Sequence, residues 1–480
     1  MWCGDVYFWR QSLVMFGAGA HGMATGFLLS FPSVLNPAIT APNTTDIKVT
    51  SDEASWITSS YGLTGFVGFL IVPSLMQKYG RKTAHIFINI FMGAGFVMLA
   101  LAKNAATLYA ARCIQGVSMC AIYVLSIIIA EYSNPKRRGY FISLKNSFLA
   151  FGSLVCHSLA LLCTWRQIAA IAVFINVIAI LLTLTWPESP GFCAMKGKYE
   201  DCDKAFIYLN GDTPKTRKVL EELITAQKES RENKEMRTKK TLSQICKRFL
   251  RKDFLKPFAM VTLLTIIIDS AGRYYNLAYI VQIVKDITGD NSVAIYCSIG
   301  VDFLSMVAFW ISTYFITKFS RRALVLSCGY FSVLLMFLIS LTVYLKSIYI
   351  HASLAFIWLI LTMILLHSFI VNAGVIPVCF TVSGEIFPLE LKGSGTTATG
   401  IVFTLLYALT MKCTPIMMEE TGIEGTYGIY GLCLGICLVI LHFIMTETKD
   451  KTLQEIEDEI KGIQRTKTTI LQELDTYREY

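Results

Sequence analysis

Apolar residues in this chain of 480 residues fall into about twelve runs separated by polar connections. Each run has roughly 20 residues, enough for a helix to cross a hydrocarbon core of about 30 Å. Lipid offers the backbone no hydrogen-bond partner, so such runs form helices. Their approximate bounds are 12–34, 55–76, 83–102, 106–130, 140–163, 167–187, 257–284, 293–317, 323–346, 352–384, 394–414 and 425–445. The pattern predicts an all-α membrane protein with twelve transmembrane helices.

One charged motif occurs in both halves of the chain, each time at the end of an apolar run. Each copy places a glutamate seven residues before a basic residue and a glycine, at 131–139 and at 385–393. A short basic turn precedes each copy, at 80–82 and at 320–322. Duplicated membrane bundles with matching charged connections are typical of transporters. The repeat predicts two pseudo-symmetric six-helix bundles that move a small solute.

The polar segments set the predicted domain organisation and orientation. We expect an N-terminal bundle at 1–187, a cytosolic inter-bundle loop at 188–256, a C-terminal bundle at 257–445 and a cytosolic tail at 446–480. Lys and Arg concentrate in alternate connections and in the inter-bundle loop, so the positive-inside rule places that side in the cytosol. An even number of helices then leaves both termini in the cytosol.

Composition limits the classes of function. Only 16% of the residues are charged and 54% are apolar, which is unlike a soluble protein of this size. The net charge of +9 is explained by topology, so nucleic acid is not an expected partner. The 14 cysteines lie mostly within apolar runs, and no spacing points to a disulfide framework, a metal or another cofactor. No nucleophile–base arrangement or phosphate loop points to an enzyme, and the first run is too long for a cleavable signal peptide.

Three soluble segments carry further expectations. Asn43 opens an Asn-Thr-Thr sequon in the first outer loop, which predicts glycosylation. The sequon fits the plasma membrane, and internal membranes of the secretory route fit equally well. Within 214–236 apolar residues follow a helical period, which predicts short amphipathic helices that either link the bundles or latch the inner gate. The tail at 450–480 has apolar residues on one face and is predicted to be a soluble helix.

Short motifs spread over nearly the whole chain carry a family resemblance. They are Ser55-Trp56-Ile57, Gly80-Arg81-Lys82, Arg112 with Gly116, Glu131 with Arg138-Gly139, Pro187-Glu188-Ser189-Pro190, Lys198 through Ala205, Glu385-Ile386-Phe387-Pro388 and Glu447 through Leu453. In this order and placement the motifs resemble the sugar porters of the major facilitator superfamily, and they look most similar to animal facilitated trehalose and hexose carriers. The resemblance implies two six-helix bundles that rock about a central site.

The same resemblance assigns a gate to charged residues on the cytosolic side. The implied gating residues are Arg81, Glu131 and Arg138 in the first half and Arg321, Arg322, Glu385 and Lys392 in the second. Charges at a gate can pair in one state and separate in another, although the same residues can also simply fix topology and cap helices. Four family positions are altered, namely Gln77, Gly191, Thr317 and Ser320. We therefore expect fewer pairs and a looser inner closure.

Most of the polar contacts that the family uses for sugar are replaced in this chain. The helix 5 amide position is Asn146, and the paired glutamines of helix 7 become Ile268 and Asp269. The helix 10 tryptophan position is Phe380. Other polar residues stand nearby, and sugar hydroxyls need such donors and acceptors in a desolvated site. The candidate substrate-binding residues are Asn146, His157, Asp269, Arg273, Asn276, Ser305, Asn372 and Phe380.

Periodicity groups these candidates on helix faces. Asn146 and His157 share a face of helix 5 at i and i+11, and Asp269, Arg273 and Asn276 share a face of helix 7 at i, i+4 and i+7. Ionised groups inside a membrane face a cavity or a partner. Asp269 and Arg273 therefore either pair within their helix or contact substrate, and His157 is either a packed neutral imidazole or a site residue.

Three hypotheses about function follow. The first is facilitated diffusion of a hexose or trehalose-like sugar, because the helix 1 aspartate of the family's proton-driven carriers is Ala24 here while Arg112 remains. Asp269 or Asp302 stays open as a proton carrier. The second is a carrier of an organic ion or zwitterion, which requires Asp269 and Arg273 both to face the cavity. The third is a non-transporting sensor with a degenerate site, which a cavity too small for a sugar ring supports.

Overall fold

The computed structural model describes residues 6–41, 46–133, 135–214, 216–218, 220–221, 223–225, 228, 252–348, 354–387 and 392–449. The first half contains α1 Val6–Thr40, α2 Ser51–Tyr79, α3 Arg81–Ala100, α4 Ala105–Gly116, α5 Ala121–Tyr132, α6 Pro135–Leu159 and α7 Trp165–Leu184, followed by α8 Pro190–Met195 and α9 Tyr199–Asn210. The second half contains α10 Lys252–Ser270, α11 Tyr275–Thr288, α12 Asn291–Lys318, α13 Arg321–Ile348, α14 Leu354–Ile370, α15 Ile376–Glu385 and α16 Lys392–Ile444. A single 3₁₀ turn, Val117–Cys120, joins α4 to α5 into one span.

Ten segments of the described chain are long and apolar enough to cross a membrane. Helix α6 is the eleventh span, and it is less apolar than those ten segments because polar residues occur along its length. The tenth segment, within α16, contains two spans. Thr414 Oγ1 lies 2.7 Å from the Tyr430 hydroxyl, although 16 residues of straight helix would separate them by about 24 Å. The chain reverses at Gly422, whose φ is +71°, and the predicted twelve spans are all present.

Two spans of the second half are interrupted near their centres. The seventh breaks at Ala271–Tyr274 between α10 and α11, where Gly272 takes a φ of +85° that glycine adopts without strain. The tenth contains a π turn, Val371–Val375, between α14 and α15. Pro377 follows this turn and has no N–H to continue the helical ladder. The π turn places irregular backbone inside the bundle, as at many functional sites.

The two halves meet along lateral seams. Helix α2 packs against α16, α6 packs against α12, and α1 contacts α11. Within the first half, α1 and α6 approach backbone to backbone: a Cβ added to Gly26 would lie 2.1 Å from the Leu149 carbonyl oxygen. A Cβ on Gly152 would lie 2.1 Å from the Met23 carbonyl oxygen. These glycines let two helices cross at a distance that any larger residue would prevent.

The segment between the halves is attached to the first bundle. The side chain of Gln11 on α1 donates to the Leu209 carbonyl oxygen at 2.9 Å. Leu220 packs with Cys193, Ala194 and Cys202 in a small separate apolar cluster. Residues 229–251, the predicted tail helix at 450–480 and the sequon residue Asn43 lie outside the described residues.

Candidate functional site

A small polar cavity lies inside the second bundle, where the break of the seventh span faces α12 and the π turn. It is lined by Ala271, Gly272, Arg273, Asn276, Leu277, Ile280, Val301, Asp302, Ser305, Ser368, Val371 and Asn372. The centre of a water molecule can move through about 20 Å³ of it. That space accommodates little more than a water molecule in this conformation, so a sugar ring would require the surrounding helices to move apart.

A hydrogen-bond network organises the wall of this cavity. Arg273 Nη1 donates to Asn372 Oδ1 at 3.0 Å, and Asn372 Nδ2 donates to Ser305 Oγ at 3.0 Å. The hydroxyls of Ser305 and Ser368 are 3.1 Å apart. The guanidinium carbon of Arg273 lies 5.3 Å from the centre of the Phe309 ring, within range of a cation–π interaction. These contacts hold an amide, two hydroxyls and a cation in fixed positions around one space.

One wall of the cavity is connected to the other bundle. Asp302 Oδ2 lies 2.5 Å from Nδ1 of His157, which belongs to α6. The second ring nitrogen of His157, Nε2, lies 2.6 Å from Ser33 Oγ on α1. His157 is fully buried and Asp302 is 1% exposed. The three side chains, which we call the central bridge, connect α1 and α6 of the first bundle with α12 of the second.

The structure brings together four of the eight predicted binding residues as cavity lining: Arg273, Asn276, Ser305 and Asn372. His157 reaches the cavity through Asp302. Asn146, Asp269 and Phe380 do not belong to the lining.

The predicted common face of Asp269, Arg273 and Asn276 is wrong, because the helix breaks at Gly272 between the first two residues. Arg273 turns to Asn372 instead. Asp269 is 4% exposed, and neither of its carboxylate oxygens has a hydrogen-bond partner in the described part of the chain. Of the two predicted charges only Arg273 therefore lines the cavity.

Charged residues form a second organised site at the basic end of the first bundle. Arg81 at the start of α3 makes two hydrogen bonds to Glu131 on α5, each 2.7 Å long. Ser189 Oγ also donates to Glu131. Glu188 Oε1 accepts from the backbone N–H of Arg81 at 2.9 Å, and Lys82 Nζ donates to the Leu184 carbonyl oxygen at 2.7 Å. These contacts join α3, α5, α7 and α8 within one bundle.

The second bundle repeats part of this arrangement. Glu447 accepts from the backbone N–H groups of Arg321 at 3.1 Å and Arg322 at 3.0 Å. Arg322 Nη2 donates to the His442 carbonyl oxygen, and Arg321 Nη1 donates to Thr448 Oγ1 at 2.7 Å. A carboxylate at a helix N-terminus satisfies free N–H groups and is favoured by the helix dipole. Burial acts to raise the pKa of Glu447, but hydrogen bonds from the backbone of Lys449, Arg322 and Arg321 hold that pKa below its usual value.

Of the predicted gating residues, Arg81 and Glu131 are paired, and Arg321 and Arg322 belong to the matching cluster. The side chains of Arg138, Glu385 and Lys392 lie outside the described part of the structure. The sequence analysis did not identify Glu188 and Glu447 as caps of α3 and α13. Their matching positions, just after the sixth and twelfth apolar runs, could have indicated that role. It also missed Ser33, whose role depends on a contact 124 residues away.

The model of the family described as "Sugar (and other) transporter" matches residues 14–460. The chain belongs to this family of transporters. Solved structures agree on the fold: the proton:xylose symporter XylE of E. coli, bound to 6-bromo-6-deoxy-D-glucose, superposes with a TM-score of 0.74 at 18% identity. That match covers 95% of this chain and 99% of XylE, so the fold is that of the major facilitator superfamily.

Curated relatives include facilitated trehalose transporters named Tret1. The protein from Apis mellifera ligustica is 25% identical over 458 residues, which cover 94% of this chain and 89% of that protein. The protein from Drosophila yakuba is 25% identical over 461 residues, or 95% of this chain. This chain spans about half, 52%, of the length of the Drosophila protein. The family and the fold together show an integral membrane transporter.

Proposed function

We propose that the protein carries a small, neutral, polyhydroxylated solute, such as a hexose or a trehalose-like sugar, by facilitated diffusion with alternating access. The observation that supports this is the set of side chains that line the polar cavity in the second bundle. Asn276, Ser305, Ser368 and Asn372 present neutral donors and acceptors to the cavity beside Arg273 and Asp302. Such groups match hydroxyls, which lose their hydrogen bonds to water on entering a desolvated site. The names of the Tret1 relatives agree with this class of solute.

Of the two charged residues that line the cavity, Asp302 faces a partner from the other bundle and Arg273 is held by a neutral amide. Asp302 faces His157 at 2.5 Å, and Arg273 gives one hydrogen bond to the Asn372 oxygen. An incoming sugar would meet a cation that can donate to its oxygens and a carboxyl group that already faces an imidazole ring. Outside the cavity, Asp269 keeps a buried carboxyl without a partner among the described residues. Because the ionic-solute hypothesis requires Asp269 as well as Arg273 to face the cavity, this position argues against the second candidate function, a carrier whose solute has a charged group.

Facilitated rather than proton-driven movement is supported by the surroundings of Arg112. This side chain is 1% exposed and donates to Gln115 Oε1 at 3.0 Å and to the Leu28 carbonyl oxygen at 3.3 Å. Its guanidinium lies 5.2 Å from the centre of the Tyr61 ring. In the described chain its partners are an amide, a carbonyl and an aromatic ring, and the residue on helix 1 is Ala24.

The same proposal includes orientation and membrane. The ends that carry Arg81 and Arg321 face the cytosol together with both termini, because basic residues concentrate there. The sequon at Asn43 lies outside the described residues; we expect it on the opposite, outer side, where it would be glycosylated, and the plasma membrane is the proposed location.

The test is uptake of labelled glucose and trehalose into cells that express the chain at their surface, with and without an imposed pH gradient. We expect saturable uptake that never exceeds the external concentration. Asn372→Leu should lower the uptake strongly. Asn146→Ala tests the amide position on α6, the fifth span. Ser332→Ala, which removes a buried hydroxyl outside the cavity lining, is the matched control.

The outcomes separate three functions. Accumulation above the external concentration under a pH gradient contradicts facilitated diffusion. Uptake of labelled organic cations, lost in Asp269→Asn, supports the cationic solute. The small cavity favours a third reading, a non-transporting sensor. Absence of uptake for every solute, with the protein at the surface, supports that reading and contradicts the sugar proposal.

A further inference from the structure

In the central bridge, the number of available protons determines which ring nitrogen of His157 faces each partner. Ser33 has one hydroxyl proton, and Ser33 Oγ lies 2.6 Å from the Ser30 carbonyl oxygen, which can only accept. The hydroxyl proton is used there. The contact of 2.6 Å between Ser33 Oγ and His157 Nε2 therefore needs a proton on Nε2. This assignment leaves Nδ1 as the nitrogen that faces Asp302.

The contact between His157 Nδ1 and Asp302 Oδ2, at 2.5 Å, then requires one further proton. Without it, the lone pair of Nδ1 would face a carboxylate oxygen inside a site shielded from water, which is repulsive. With it, the pair is an imidazolium and a carboxylate, or a neutral imidazole and a carboxylic acid. Both descriptions contain the same extra proton. The intact bridge is therefore a proton-bound state.

The bridge crosses the seam between the bundles near the end of α6. His157 lies near the end of α6 that leads into the outer connection at 160–164, and Asp302 lies on α12 across the seam. Opening the outer end would move these helices apart and expose both groups to water. In the described chain, Arg273 from the turn before α11 also acts on Asp302, and Asp302 in turn acts on the Cys156 thiol of α6. From α1, Ser33 contacts His157. Ser368 on α14 and Asn372 in the π turn face the cavity.

We propose that His157 and Asp302 form a proton-binding site between the bundles, and that the outer end of the carrier closes only when this site holds a proton. On closure, Nδ1 and Oδ2 take one proton from hydronium in the outer solution and release water. On outer opening, the proton returns to water. The inference rests on the alternating access of the proposed function, and it holds for any solute.

Hydrogen exchange measured on the full-length protein in lipid nanodiscs tests this without a solute. The quantity is the protection of backbone amides in 149–159 of α6, corrected for the effect of pH on the chemical exchange rate. In the wild-type protein we expect this protection to fall by up to about tenfold per pH unit above the midpoint, because one proton is linked to closure. The range to scan is about pH 5.5 to about pH 9, on both sides of neutral pH. Amides in 324–340 of α13, away from the seams, serve as the internal control.

Two conservative variants should remove the pH dependence for different reasons. In Asp302→Asn the amide donates to Nδ1 of a neutral imidazole, so the bridge persists without the extra proton. In Ser33→Ala nothing requires a proton on Nε2, so a neutral imidazole can donate from Nδ1 to the carboxylate. Flat protection in both variants, at the level of the low-pH wild type, supports the proposal.

A wild-type protein with no pH dependence of protection, or variants that keep the wild-type slope, would overturn the proton site. Failure of sugar uptake would leave this result untouched, so the two proposals fail separately.

Discussion

The ion pair of Arg81 and Glu131 gives the most quantitative prediction. Two parallel hydrogen bonds of 2.7 Å join the guanidinium and carboxylate, and the side chains are 11% and 22% exposed. Exposed pairs contribute about 0–1 kcal/mol, whereas breaking a fully buried pair costs about 3–5 kcal/mol. The exposure of this pair lies between those limits. Two charge-assisted hydrogen bonds formed side by side are stronger than a single neutral one. We expect a coupling free energy of about 2 kcal/mol.

A double-mutant cycle measures this coupling. Arg81→Gln, Glu131→Gln and the double variant are compared with the wild type by the free energy of unfolding in detergent, and the double variant should lose less than the sum of the single losses. The exposed pair of Arg217 and Asp212, which joins residues within the inter-bundle segment, is the matched control. It should show no measurable coupling, because water and salt screen it.

The same variants distinguish a purely structural ion pair from one that gates transport. Both residues belong to the first bundle, so a purely structural pair lowers uptake only in proportion to the folded protein at the surface. A change of uptake per folded molecule supports the gate that the family resemblance implies. A coupling below about 0.5 kcal/mol would refute the reasoning from distance and burial.

Three further predictions concern packing, pH and the outer end. Gly26→Ala should destabilise the protein by about 1–3 kcal/mol, because the added Cβ would lie 2.1 Å from a backbone carbonyl oxygen. Gly93→Ala, whose Cβ would have its nearest neighbour at 3.5 Å, should be tolerated in the same thermal unfolding assay. The pKa of Glu447 is depressed in the folded state, so its contribution to stability is present at neutral pH and lost as pH falls through that pKa. Glu447→Gln should therefore lower thermal stability at neutral pH and flatten its dependence between neutral and acidic pH. Lys412→Met should cost less than about 1 kcal/mol, since its partner Asp52 across the bundle interface is 68% exposed, and added salt should erase the difference from wild type.

The sequence alone determined the architecture of this protein. Apolar runs of membrane length leave no alternative to helices, because the backbone must satisfy its own hydrogen bonds in lipid. The repeated motif around Glu131 and Glu385 indicated two related halves, and the family match and superposition agree with both points. Periodicity also selected Arg273, Asn276, Ser305 and Asn372, since polar residues are costly in a membrane unless they face a cavity or a partner.

Periodicity failed where the helix itself is interrupted. It placed Asp269 and Arg273 on one face by assuming a continuous seventh helix, and the positive φ of Gly272 breaks that assumption. A glycine in an apolar run gives no sign of its φ, which depends on how the surrounding helices pack. The π turn at Val371–Val375 is similar, because Pro377 predicts a distortion but not its form.

Only the tertiary structure decided which distant residues meet. His157 was ambiguous in the sequence, and the structure shows its contacts with Ser33, 124 residues away, and Asp302, 145 residues away. Such contacts depend on the crossing of α1, α6 and α12, and no local pattern encodes that crossing. Local spacing therefore determined the helices and their polar faces, while the packing of the two bundles determined which polar groups lie in contact.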